Sequence, residues 1–147
     1  MLNAYGWIIV RSSREKYQDI SDEDIDSLDD ETEKADRDVW DKLEDFLKIL
    51  TARSSLLKTQ FTRTFNNVSG HLSILVSRNH SAPELYELIE WIAKSAVGSY
   101  GIIYVHNDES AFSNQFRIIR INKGGYTEHG DQLLSPICPV IEYEGLP

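Results

Sequence analysis

The chain holds one cysteine, Cys138, among 147 residues. A single thiol closes no internal disulfide and supplies no four-cysteine zinc site. Glycine (8) and proline (4) are scarce, which excludes collagen-like and low-complexity architectures. No apolar run approaches the roughly 18 residues that cross a bilayer, so no membrane association is expected. Met1 to Gly6 lacks a basic region followed by a long apolar stretch, so it does not read as a signal peptide. The expected location is the cytoplasm. Phosphate-binding signatures are missing as well. Gly124-Gly125 is not followed by Lys-Ser/Thr, and neither a Gly-x-Gly-x-x-Gly turn nor a Gly-x-Ser-x-Gly elbow occurs. His71, His80, His106 and His129 are not paired at metal-ligand spacing. Neither a cofactor nor a metal is expected.

What is present is ordinary globular composition with one local bias. Hydrophobic residues make up 41% and charged residues 27%, enough for a single domain over residues 1–147 with a core that needs no staples. The net charge is −9, from 24 acids and 15 bases. Asp19 to Asp38 alone carries 11 acids against Lys34 and Arg37, and the remainder, with 13 of each sign, is neutral. A nucleic-acid-binding protein needs the opposite sign, because its affinity comes from cations that displace counterions from phosphate. Direct nucleic-acid binding is therefore not expected.

Patterning along the chain predicts alternating element types. Tyr5 to Val10 is aromatic and β-branched and reads as a strand buried on both faces. Ile25, Leu28, Thr32, Ala35, Val39, Leu43, Phe46 and Leu50 recur at helical spacing, flanked by Trp40 and Leu47, with a possible break at Thr32 and Ala35. Two alternating runs, Gln60 to Asn66 and Leu72 to Val76, surround an Asn/Gly-rich turn and predict a hairpin. Ser81 reads as the N-cap of a second helix, with Pro83 in its first turn and Gly98 ending it. Tyr100 to Val105 and the stretch from Phe116 predict further strands, the latter interrupted at Gly124-Gly125. The apolar tail with Pro136 and Pro139 suits an edge or an extended cover. This βαββαβ-like order implies an α+β fold, with two helices on one face of a largely antiparallel sheet.

Catalytic constellations are weak. His106, Asp108 and Glu109 at a strand end can form an acid–base or metal group, but polar residues at strand ends are also what loops are made of. Cys138 with a distant histidine can be a nucleophilic pair, yet a lone cysteine in an apolar tail is more simply a small hydrophobe. The enzyme alternative, a small hydrolase or metal protein, would use His106, Asp108, His129 or Cys138. Asp22-Glu23-Asp24 lacks the central glycine of an EF-hand loop. The chain therefore reads as a non-enzyme. Trp7, Tyr100, Tyr104, Phe112 and Phe116 are expected mostly in the core, whereas Tyr126 and Tyr143 suit exposed anchors. An acid-rich helix face displayed by docking Ile25 and Leu28 would steer a basic partner. The candidate partner-binding residues are Asp22, Glu23, Asp24, Asp26, Asp29, Asp30 and Glu33, with Asp108, Glu109, Tyr126 and Asp131 as a second surface from the β-side loops.

Four blocks, in order, carry a resemblance: Tyr5-Gly6-Trp7, Asn79-His80, Gly98 to Glu109, and Asp131 to Glu142. Together they resemble immunity protein family seven of bacterial polymorphic toxin and contact-dependent inhibition systems. The resemblance spans nearly the whole chain and is thinnest over the acidic segment and Thr51 to Val68. It implies a small cytoplasmic protein that binds the C-terminal effector domain of a cognate toxin and protects the producing cell. Such effector domains are often nucleases, which tend to be basic. The alternative is an acidic regulatory or structural protein without a dedicated toxin partner.

Overall fold

The computed structural model describes residues 1–13, 22–64 and 69–143, with residues 22–29 described by their backbone alone. Its elements follow the order β1 (Leu2–Val10), α1 (Asp22–Arg53), β2 (Leu57–Thr64), β3 (Ser69–Arg78), α2 (Pro83–Ser95), β4 (Tyr100–Asn107), β5 (Arg117–Asn122), β6 (Gly125–Gly130) and the short α3 (Ile137–Val140). The six strands form one sheet in the order β2-β3-β1-β4-β5-β6, antiparallel at every pairing. The α+β class and the two helices against an antiparallel sheet are as the patterning implied.

Successive strand residues point to opposite faces, and among the described residues the two long helices cover one face. Leu2, Ala4, Ile8 and Val10 of β1 are buried, as are Leu72, Ile74 and Val76 of β3, Ile103 and Val105 of β4, and Ile119 and Ile121 of β5. They meet Trp40, Leu43, Leu47 and Leu50 of α1 and Leu85, Leu88, Ile89 and Ile92 of α2 in one core. Each such Leu or Ile stabilises the fold by about 1.5–3 kcal/mol relative to an exposed one. The expectation that β1 is buried on both faces is wrong. Tyr5 and Trp7 are exposed, because the helices cover the sheet from one side only.

The first helix is unbroken through Thr32 and Ala35. Its buried line runs through Asp36, Trp40, Leu43, Leu47 and Leu50, so Trp40 and Leu47 are central, and Val39 and Phe46 are the flanks. Trp40 fits because β3 offers Gly70, where an added Cβ would lie 2.6 Å from the indole nitrogen. That nitrogen donates a buried hydrogen bond of 2.9 Å to the Val10 carbonyl. At α2 the cap is Ala82, without a side-chain hydrogen bond, and not Ser81. Gly98 lies beyond the C-cap Ala96, and its Cα is pressed on the backbone of Ser13, so close that a Cβ would be 2.0 Å from the Ser13 carbonyl oxygen. Lys123 and Gly124 both take positive φ, the signature of a two-residue hairpin turn joining β5 to β6. The tail adds no strand; Asn114 holds it through hydrogen bonds with Cys138 (2.8 and 3.1 Å).

Candidate interaction site

The acids of α1 come from its length. At 1.5 Å per residue the 32-residue helix is about 48 Å long, about one and a half times the length of β1. Asp36 is the residue at which it reaches the end of that strand: its buried carboxylate accepts the Ser12 N–H at 2.7 Å. The 14 residues from Asp22 to Ala35 therefore occupy about 21 Å of axis before that contact, and none of the side chains described between Asp30 and Ala35 is buried. α1 carries 13 acids and five bases, and seven of the acids are the candidate residues of its first half.

Of those seven, Asp22, Glu23, Asp24, Asp26 and Asp29 lie on the α1 backbone, and their side chains fall outside the described residues. Asp30 is exposed and makes no ion pair among the described residues. Glu33 pairs with Arg37 one turn on, at 3.1 Å. Further along, Asp41 and Glu44 both engage Arg63 of β2, at 2.7 and 3.0 Å, while its guanidinium stacks on Trp40 at 5.7 Å. The hydrogen bond to Asp41, helped by Glu44, raises the Arg63 pKa further. Arg63 thus offsets part of the charge in the middle of the helix. Glu31, Asp38 and Asp45 are exposed and unpaired among the described residues, so free negative charge persists on either side of it.

The second surface does not join this one. β1 runs from Leu2, opposite Asn107, to Val10, opposite Gly70, and Asp108 and Glu109 follow Asn107. They stand at the end of the sheet away from Ser12 and Asp36, about 26 Å along the strand. Asp108 accepts a hydrogen bond from the Met1 amino group, which holds its carboxyl below the usual carboxylate range. Glu109 contacts His80 at 3.1 Å. Tyr126 is partly exposed near the opposite end of β6, beside Tyr86 of α2, whose hydroxyl pKa is pushed up by burial and by Glu128.

Asp131 is not a surface residue. It is buried, and its carboxylate accepts the N–H groups of Leu133 and Leu134 and the Ser135 hydroxyl at 2.9–3.0 Å. Desolvation acts to raise its pKa, but these three donors together hold it below the ordinary value. Its role is to fold its own loop.

The aromatic residues expected in the core are placed otherwise. Trp7, Tyr100 and Phe112 are exposed, and Tyr104 and Phe116 are half-buried. Alternation turns Trp7, Tyr100 and Tyr104 to the sheet face that carries no helix. Residue spacing missed two further features. Asp36 lies within the acid-rich segment, but its four-residue offset from Trp40 puts it on the buried line. Phe46 stacks on Trp91 of α2 (5.4 Å, 17°) beside an open groove of about 520 Å³ lined by Val39, Lys42 and Ile49. His106 hydrogen-bonds the Ser113 carbonyl at 2.7 Å and Asn114 holds Cys138, so both belong to loop packing. Among the described residues no three His, Cys, Asp or Glu side chains converge on a common point, and no helix is long and apolar enough to cross a membrane.

The chain belongs to the immunity protein 7 family, whose family model matches residues 1–143. No curated protein and no solved structure matches it.

Proposed function

We propose that this immunity protein is a stoichiometric, non-enzymatic inhibitor of the effector domain of a cognate toxin. It acts in the cytoplasm and meets that domain through the acidic N-terminal half of α1. The observation that carries the reading is the overhang: helix continues about 21 Å beyond Asp36 and bears most of the net charge of the molecule. A surface of one sign raises the encounter rate with a partner of the other sign, and here it suits a basic domain such as a nuclease. Inhibition then needs only occupancy. The helix covers the cationic surface that would hold a phosphate backbone, and no bond is made or broken.

The test is association kinetics with the toxin domain encoded beside this chain, at low salt and at about 0.5 M, where surface charge is screened. Replacing Asp22, Asp26, Asp29 and Asp30 with Asn should slow association about tenfold at low salt and flatten the salt dependence. Unchanged kinetics would remove α1 from the interface. Failure of the unaltered chain to bind or protect against that toxin would remove the inhibitor reading itself.

A further inference from the structure

Among the described residues, the sheet face opposite the helices carries a set of uncovered aromatic side chains. Tyr5, Trp7, Leu75 and Tyr100 on it are between 41% and 57% exposed, and Trp7 meets Tyr100 edge to face at 6.3 Å. Ile102 and Tyr104 lie half-buried between them. Registers align these residues in rows. Lys58, Leu75, Tyr5, Tyr104, Ile118 and His129 cross the sheet in one row, and Gln60, Ser73, Trp7, Ile102, Arg120 and Thr127 in the next. Among the described residues no strand places a carboxylate on this face. β1 to β5 contain no Asp or Glu, and Glu128 of β6 lies opposite Ile119, on the helix side.

The geometry points to a second copy of this chain as the occupant, packed sheet to sheet. Six strands about 4.8 Å apart and about 25 Å long present a footprint of roughly 600 Å², before side-chain relief is added. A stable interface needs about 600–1,000 Å² from each partner. The composition is right for the centre of such an interface, rich in Trp and Tyr and empty of carboxylates. The face is also wrong for a basic toxin domain, which would meet Lys58 and Arg120 without a compensating acid.

Charge decides in the same direction. Two molecules of net charge −9 repel. The excess, however, is carried by α1, on the far side of the sheet. With sheets stacked about 10 Å apart, and each helix layer about 10 Å behind its own sheet, the two acidic helices are about 30 Å apart, several Debye lengths at physiological salt.

The middle of the sheet falls between β1 and β4. A two-fold axis along the strands there sets Trp7 over Ile102 of the other copy, Tyr5 over Tyr104, Ile118 over Leu75 and Arg120 over Ser73. Projecting rings meet lower side chains, and Arg120 meets no like charge. Both α1 helices stay outward, free for the inhibitory contact.

The experiment is sedimentation velocity of the full chain from about 1 to 200 µM. The expected result is a species near twice the 16.9 kDa protomer mass, with Trp7→Arg weakening association at least tenfold and Ile49→Arg, on the exposed side of α1, leaving it unchanged. If Trp7→Arg loses its circular dichroism signal, Tyr100→Lys takes its place. A Ser73→Cys/Arg120→Cys chain in a Cys138→Ser background gives an independent reading. The two sites lie three strand steps, about 14 Å, apart within one sheet, too far to bridge, so oxidation should yield a covalent dimer. A monomer at every concentration, or a dimer indifferent to both Trp7→Arg and Tyr100→Lys, overturns the proposal. So does a monomeric chain in which Trp7→Arg abolishes toxin binding, which would give this face to the toxin.

Discussion

Two buried polar groups set the local structure at opposite ends of the sheet. Asp131 draws three donors into one loop, and its pKa lies below the ordinary value because those donors favour the charged form. A carboxylate with a depressed folded-state pKa contributes stability that is present above its unfolded value of about 3.9 and is lost as the pH falls through the folded value. Asp131→Ala should therefore cost about 1–3 kcal/mol at pH 7, since two backbone N–H groups lose their acceptor. In urea titrations the gap from the unaltered chain should narrow below about pH 4; a gap independent of pH would mean that the carboxylate charge is irrelevant. Trp40 does the corresponding work at the other end. Its indole N–H reaches the Val10 carbonyl across the core at 2.9 Å, over Gly70. Trp40→Phe keeps most of the apolar contact and removes the donor, so a loss of about 1–3 kcal/mol is expected in the same titration. A neutral result would show that water or a neighbouring donor replaces it.

At the level of elements, α1 and α2 meet above the sheet in the Arg53–Glu87 ion pair and in a ring pair, Phe46 on Trp91, both rings packed against the core but only half-buried. Stacked rings at this distance contribute about 0.5–1.5 kcal/mol beyond the area that they bury. A double-mutant cycle of Phe46→Ala and Trp91→Ala should return a coupling of that size, and strict additivity would mean that each ring packs on the sheet independently. The elements themselves were legible in the sequence because two periods dominate it. Leu85, Leu88, Ile89 and Ile92 recur as only a helix needs, and Leu72, Ile74 and Val76 alternate as only a half-covered strand needs. β1 was ambiguous for a physical reason. Both of its faces are apolar, Ala4, Ile8 and Val10 on one and Tyr5, Trp7 and Ile9 on the other, and its own pattern cannot tell which face the helices choose. The candidate site divides in the same way. Charge counting found the acidic segment, but it could not tell that Asp36 is an anchor or that Arg63, from a distant strand, pairs with Asp41 and Glu44.

Across the whole molecule, charge and apolar surface are sorted to opposite sides of one sheet, acids with α1 and open aromatics on the bare face. The sorting carries a cost. Acids one turn apart on a helix repel, and Asp30, Glu31 and Glu33, the described acids before Asp36, are not buried, so little packing offsets the repulsion. Asp30, Glu31, Asp38 and Asp45 have no counter-charge among the described residues, so mobile ions must supply it. Raising salt from about 10 mM to about 0.5 M shortens the Debye length from about 30 Å to a few ångströms and should relieve this repulsion. The expected result is a Tm higher by roughly 3–6 °C, which corresponds to about 1 kcal/mol for a domain of this size, with a stronger helical signal at 222 nm. Replacing those four acids with Asn or Gln should remove at least half of the rise, because the repulsion that salt screens would already be gone. An equal rise in the variant would locate the salt effect elsewhere in the molecule, and the acidic half of α1 would then be a helix that bears its charge without strain.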